Sequence, residues 1–181
     1  MEKKRNTRLL CSLLLLSILL FTSCSSKPNK NFGKDMLSPY NEKTTLENVW
    51  IEVKEDTVTP TGLEIVFHNT STRDDLYFGS WLALEKQHDK QWFKIDYLEG
   101  NDNFAWLDWA RKIYTDEYLE QARIKGETWT ELAFEFLPNE MTYNWEPLYG
   151  KLAKGEYRIV VEVTSRPDYA RYYLTAEFII R

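Results

Sequence analysis

The chain has 181 residues with 23 Lys or Arg and 28 Asp or Glu, which gives a net charge of −5. Residues 1–23 hold four basic side chains and one acidic one, so without them the net charge is −8. Such an acidic body argues against a nucleic-acid binder, because contacts to phosphates need basic side chains. The length suits one domain, and 43% hydrophobic and 15% aromatic residues supply enough material for a core.

The N-terminus has the three parts of a secretory leader. A cationic start formed by Lys3, Lys4, Arg5 and Arg8 precedes Leu9–Phe21, a run of 13 uncharged residues. The small residues Thr22-Ser23-Cys24 follow it. A membrane-spanning helix needs about 20 apolar residues, so this run is short for a permanent anchor and suits an export signal. The run has no polar face, which argues against a buried core helix.

The leader ends in Phe21-Thr22-Ser23-Cys24, which resembles the lipobox of bacterial lipoproteins, with Phe21 in place of the usual Leu. In such proteins the cysteine is diacylglycerylated and becomes the first residue after cleavage. The resemblance implies a signal peptide over residues 1–23, lipid attachment at Cys24 and a membrane location facing outside the cytoplasm. Because the other cysteine, Cys11, would leave with the leader, no thiol would remain for a disulfide or a metal.

A polar stretch without periodicity, Ser25–Tyr40, follows the lipobox and is typical of a tether. We therefore expect residues 24–43 to form the lipidated cysteine with a flexible tether, and residues 44–181 to form one domain.

From residue 44 the hydrophobic pattern has a period of two, as in β-strands. Helical runs of about 10 to 15 residues between strands, which a parallel α/β fold needs, are missing. The sequence therefore predicts an all-β fold, an antiparallel immunoglobulin-like β-sandwich. The predicted strands are Val49–Val53, Leu63–Phe67, Leu76–Lys86, Gln91–Ile95, Leu132–Phe136, Tyr157–Val163 and Tyr172–Ile180.

Asp96–Gly126 departs from this pattern and is predicted to be a partly helical insertion. Thr115–Arg123 has helix-forming residues with the acids first, which favours a helix. Trp106, Asp108 and Ala110 alternate, so a short strand before one helical turn fits the segment equally well.

A structural corner is predicted where the penultimate strand begins. Gly155 would turn the chain into the strand, Leu152 would fill the corner, and the Tyr157 hydroxyl would bind backbone a few residues upstream. This is the tyrosine corner of immunoglobulin-like sandwiches, and an ordinary strand aromatic is the alternative. Trp81, in the third strand, is the candidate for the central Trp of the core.

The stretch Asn144–Leu152 (NWEPLYGKL), followed by Gly155–Ile159 (GEYRI), resembles the immunoglobulin-like domain of surface lipoproteins of low-GC Gram-positive bacteria. In that family an N-W-x-x-L-Y-G-x-L segment precedes G-x-Y-R-I. Val58–Leu63, leading into Phe67-His68-Asn69, is similar to the family's first turn and strand. The resemblance implies an immunoglobulin-like fold at the cell surface without an established catalytic activity, so it supplies no active-site residues.

Patterns for metal or catalytic sites are weak. His68 and His88 lack the spacing of a zinc site and are expected at edges or in turns. Asp74–Asp75 and Asn101–Asn103 offer oxygen ligands for Ca²⁺, but the EF-hand pattern is absent and these residues are common in turns. The sequence has no G-x-S-x-G elbow. We expect no cofactor, no metal and no catalytic residue.

The aromatic residues suggest a binding role. Trp92, Trp106, Trp109 and Trp129 cluster around the predicted insertion, and exposed Trp side chains commonly anchor partners. The alternative is that they cover one end of a core that has no disulfide. We expect a non-enzymatic binding or structural module for an unknown protein or cell-wall partner. The alternatives are an accessory or sensor subunit of a membrane complex and, less favoured, a cell-wall hydrolase.

Overall fold

The computed structural model describes residues 36–40, 46–99, 110–126 and 138–181. Within them, eight strands, two α-helices and a short 3-10 turn at Glu55–Thr57 follow one another along the chain. The helices are α1 (Asp116–Lys125) and α2 (Glu146–Tyr149). The strands are β1 (Val49–Val53), β2 (Gly62–Asn69), β3 (Leu76–His88), β4 (Gln91–Lys94), β5 (Arg111–Lys112), β6 (Glu140–Asn144), β7 (Gly155–Ser165) and β8 (Arg171–Ile180).

The strands form two antiparallel sheets, which confirms the predicted all-β sandwich. One sheet has three strands in the order β1-β2-β6, and the other has five, in the order β4-β3-β7-β8 with β5 also pairing with β3. Their inner faces enclose one hydrophobic core, in which Phe67 of β2 stacks on Phe78 of β3 with ring centroids 4.1 Å apart.

Alternation along each strand decides which side chains enter this core. On β1, Val49, Ile51 and Val53 are buried while Trp50 and Glu52 face outward, because successive side chains of a strand point to opposite faces. The same alternation places the odd-numbered residues of β2 and β7 inside and the even-numbered ones on the outer faces.

The prediction that Trp81 is the central Trp of the core is wrong, and Trp145 occupies that position. Trp81 lies within the irregular stretch of β3 between Phe78 and Leu82 and is half-buried on the outer face of the five-stranded sheet. Trp145 is fully buried, its indole N–H donates to the Pro60 carbonyl at 3.0 Å, and its ring packs on Phe178.

The helix predicted at Thr115–Arg123 is confirmed as α1. The Thr115 hydroxyl accepts a hydrogen bond from the Tyr118 N–H at 3.2 Å, as an N-cap does, and Gly126 ends the helix in the left-handed conformation. The two-residue strand β5 precedes the helix. The alternation of Trp106, Asp108 and Ala110, which suggested a short strand, lies almost entirely outside the described residues.

The tyrosine corner is confirmed. The Tyr157 hydroxyl donates to the Ala153 carbonyl at 2.7 Å, and Leu152 is buried beside it. Gly155 opens β7 with φ of +156°, a value that residues with a Cβ rarely adopt.

Some predictions lie outside the described residues. They concern the leader, Cys24, the strand at Leu132–Phe136 and three of the four patch residues, Trp106, Trp109 and Trp129. Strand β6 lies within the described part and was not predicted. Of the helices that the structure describes, none has the length and hydrophobicity needed to cross a bilayer.

Candidate functional site

The chain enters the sandwich through Met36–Tyr40, which we call the strap. The Ser38 N–H donates to the Trp92 carbonyl at 2.9 Å, and Leu37 forms an isolated β-bridge with Phe93. Farther along, the Tyr40 ring packs near the rings of Trp81 and Tyr173, at centroid distances of 6.1 and 5.0 Å. The strap belongs to the stretch for which the sequence predicted a flexible tether, and these contacts hold it against the sheet.

A buried ion pair lies on the outer face of the five-stranded sheet. Glu85 of β3 is opposite Arg158 of β7 in the strand register, and the Arg158 Nε donates to the Glu85 carboxylate. Glu85 is fully buried, and its Oε1 has no hydrogen-bond partner within the described part of the chain. Arg158 also donates to the Ser38 Oγ at 2.8 Å, so the ion pair connects the strap to the centre of the sheet.

Trp92 and Tyr40 also lie near this ion pair. The Arg158 guanidinium carbon lies 4.9 Å from the centroid of the Trp92 ring, an arrangement that favours a cation–π interaction. Burial, followed by the influence of Tyr173 and Glu85, raises the pKa of Tyr40 to about 12. Trp92, which the sequence proposed as part of a binding patch, is half-buried against a charged side chain of its own domain.

The outer face of the three-stranded sheet carries a different group of residues, the Trp50 cluster, formed by Trp50, Glu52, His68 and Asp116. The Trp50 and His68 rings stack with centroids 4.8 Å apart and planes inclined by 14°. Trp50 remains 44% exposed. It is therefore a large aromatic surface supported from one side by a second ring.

Two carboxylates hold the His68 ring in this orientation. Its Nε2 lies 3.1 Å from the Glu52 Oε2, and its Nδ1 lies 3.7 Å from the Asp116 Oδ2. The Asp116 Oδ1 accepts a hydrogen bond from the Asn69 N–H at 2.9 Å, which ties the start of α1 to the end of β2. The cluster is thus built from β1, β2 and α1.

Strand register explains why these residues meet. Trp50 is paired with His68 across β1 and β2, and Glu52 lies two residues farther along the same face of β1. The sequence predicted His68 as an edge residue and did not identify the cluster. The available signal was Trp50, a large aromatic at an outward-facing position of an amphipathic strand.

The acidic pairs considered as calcium ligands make internal ion pairs where they are described. The Arg73 Nη2 lies 2.6 Å from the Asp75 Oδ2, and the Lys112 Nζ lies 3.7 Å from the Asp74 Oδ2. This arrangement holds the pKa of Asp75 below its ordinary value, chiefly through the hydrogen bond from Arg73. Among the described residues, no group of three or more His, Cys, Asp or Glu is placed to hold a metal ion.

A shallow cleft of about 180 Å³ lies at one end of the three-stranded sheet. Its lining includes polar side chains, and several of them already make hydrogen bonds within the local turn. The Thr57 hydroxyl donates to the Lys54 carbonyl at 2.7 Å and accepts from the Glu64 N–H at 2.8 Å. Because its hydroxyls are used internally, this cleft is a weaker candidate than the Trp50 cluster. Its lining residues include Thr57, Thr59, Thr61, Glu64, Thr142 and Asn144.

Comparisons with protein families, with characterised proteins and with solved structures give no significant match.

Proposed function

We propose that the protein is a membrane-anchored surface lipoprotein whose immunoglobulin-like sandwich acts as a non-enzymatic binding module. The cationic and apolar leader and the lipobox at Cys24 support export and lipid anchoring. The segment Asn144–Leu152, with its resemblance to the domain of bacterial surface lipoproteins, supports the same location.

One observation carries the binding role: the strap and the Trp50 cluster lie on the outer faces of opposite sheets. The strap contacts Trp92 and Arg158 of the five-stranded sheet, whereas Trp50 and His68 project from the three-stranded sheet. Since the core lies between the two sheets, the attachment side and the exposed aromatic surface are on opposite sides of the domain.

The number of residues between Cys24 and the strap sets the maximum distance between the lipid anchor and the domain. Eleven residues, 25–35, separate Cys24 from the strap, and an extended chain of that length reaches at most about 40 Å. A lipid at Cys24 would therefore keep the strap within about this distance of the membrane. The Trp50 cluster lies on the side of the domain opposite the strap.

Site-specific photo-crosslinking on intact cells tests this proposal. A benzoylphenylalanine is placed at Trp50 in the full-length protein, and a matched one is placed at Ile179, an exposed position on the outer face of the other sheet. We expect a discrete adduct from position 50 and none from position 179. The Cys24→Ala variant should leave the membrane fraction and lose the adduct.

The outcome also separates the two classes of binding protein. A single stoichiometric adduct with an integral membrane protein would favour an accessory or sensor subunit of a membrane complex. An adduct with an extracellular protein or a wall component would favour the free-standing binding module. Equal labelling from positions 50 and 179 would contradict a binding role for the Trp50 face.

A further inference from the structure

We infer that the Trp50 cluster binds a lysine ammonium group presented by a partner polypeptide. This inference rests on the proposed function, and it specifies the chemistry of the partner. Three observations support the inference: an exposed aromatic ring, an exposed carboxylate on the same strand face and the net negative charge of the chain.

The aromatic part of the site is the Trp50 indole. His68 covers one face of the ring, and 44% of the residue remains accessible. Among the described strands, β1 is at the edge of its sheet and pairs with β2 alone. An ammonium group is attracted to the face of a Trp ring when it lies within about 6 Å of the centroid, and Trp is the strongest aromatic partner for it.

The anionic part of the site is Glu52. It lies two residues beyond Trp50 on the same face of β1, which separates the two positions by about 7 Å. Its side chain is 66% exposed, and one carboxylate oxygen lies beside the His68 Nε2. A carboxylate accepts about four hydrogen bonds, so the contact with His68 leaves capacity for an ammonium donor. A lysine side chain could therefore lie along the indole and pair with Glu52.

The surrounding charges complement a cation. Asp116 adds a second carboxylate to the cluster, 3.7 Å from the His68 Nδ1. Lys54, which follows β1, is held by Glu64 at 3.4 Å and by Glu140 at 2.5 Å, so its charge is balanced locally. The chain as a whole has a net charge of −5. An acidic body of this kind attracts basic segments and repels acidic ones.

Fluorine NMR on the full-length protein in nonionic micelles tests the inference. All tryptophans are replaced biosynthetically by 5-fluorotryptophan, and the Trp50→Phe variant identifies the Trp50 resonance. The probe is an acetylated, amidated tri-lysine peptide, and the control probe is the same peptide acetylated at every Nε. We expect a saturable shift of the Trp50 resonance with the charged peptide and none with the neutral one.

Two carboxylate variants measure the role of Glu52. Glu52→Gln should weaken binding of the tri-lysine peptide about threefold, the size expected for an exposed ion pair. Glu55→Gln, a matched change at an exposed carboxylate outside the cluster, should leave binding unchanged. Equal effects of the two variants would contradict a specific site at Glu52.

Three results would overturn the inference: a Trp50 resonance that does not move, one that moves equally with the neutral peptide, or one that responds only to a wall oligosaccharide. If any of them occurs while position 50 still gives its cross-link and Cys24 is lipidated, the ligand assignment alone fails. If Cys24 is unmodified, the proposed function fails, whatever the peptide result.

Discussion

The guanidinium of Arg158 binds the carboxylate of Glu85 on an outer sheet face, at positions directly opposite each other in strands β7 and β3. The outer face of a sheet is ordinarily exposed to solvent, yet Glu85 is fully buried here. The strap is connected to this pair, because Ser38 accepts a hydrogen bond from the same guanidinium. The ion pair therefore connects the strap to the five-stranded sheet.

Arg158→Met should lower the free energy of unfolding by about 3–5 kcal/mol, because it leaves the Glu85 carboxylate buried without its cation. The double variant Glu85→Leu with Arg158→Met removes both charges and should be more stable than the single variant. Denaturant unfolding measures both. A double variant as unstable as Arg158→Met would show that the cost comes from packing and not from the unpaired charge.

Substitution to alanine should lower the stability strongly at Trp145 and only slightly at Trp50. Trp145→Ala removes a fully buried ring and should cost about 3–5 kcal/mol of stability. Trp50→Ala alters a position that is 44% exposed and should change stability by no more than about 0.5 kcal/mol. Thermal or denaturant unfolding of the two variants checks this. A large destabilisation by Trp50→Ala would identify Trp50 as a structural residue.

Tyr157→Phe should cost about 0.5–1.5 kcal/mol, the net value of one hydrogen bond. The variant keeps the buried ring and deletes only the donor to the Ala153 carbonyl. Tyr169→Phe, at a side chain that is 68% exposed, is the matched control and should have no effect. Equal denaturation midpoints for wild type and Tyr157→Phe would show that the corner contributes no stability.

Asp75 should stabilise the fold at neutral pH and lose that role in acid. The Arg73 hydrogen bond lowers the pKa of Asp75 in the folded state. Its contribution is therefore complete above the ordinary Asp pKa of about 3.9 and disappears as the pH falls through the lower, folded-state value. Asp75→Asn, which mimics the protonated form, should destabilise at pH 6 and have a shrinking effect toward pH 2.

The control for this pH dependence is Asp74→Asn, whose carboxylate is 83% exposed and 3.7 Å from the Lys112 ammonium. It should have only a small effect at pH 6, because an exposed ion pair contributes little to stability. An Asp75→Asn destabilisation of constant size from pH 6 to pH 2 would mean that packing, and not the charge, is responsible.

Local patterns in the sequence predicted much of this fold. The alternation of Val49, Ile51 and Val53 defines β1, and Gly155 with Tyr157 defines the corner, because strand period and turn chemistry depend on neighbouring residues. Strand β6 was not predicted from the sequence. It has few apolar residues and exists because it pairs with β2, with Tyr143 opposite Leu63.

The Trp50 cluster could not be predicted because it depends on long-range register. Trp50 and His68 are 18 positions apart in the chain and meet only when β1 pairs with β2, and Asp116 joins them from a helix much farther along. The exchange of Trp81 for Trp145 has a related cause. Trp81 lies in the irregular part of β3, whereas Trp145 follows β6 at the start of α2, where its indole N–H reaches the Pro60 carbonyl.

The most direct test of the account is the mass of the N-terminal peptide from protein isolated from membranes. We predict a chain that begins at Cys24 and carries a diacylglyceryl group on its sulfur, with residues 1–23 absent. An intact Met1 on protein recovered from the cytoplasm would contradict export, anchoring and the surface binding role together.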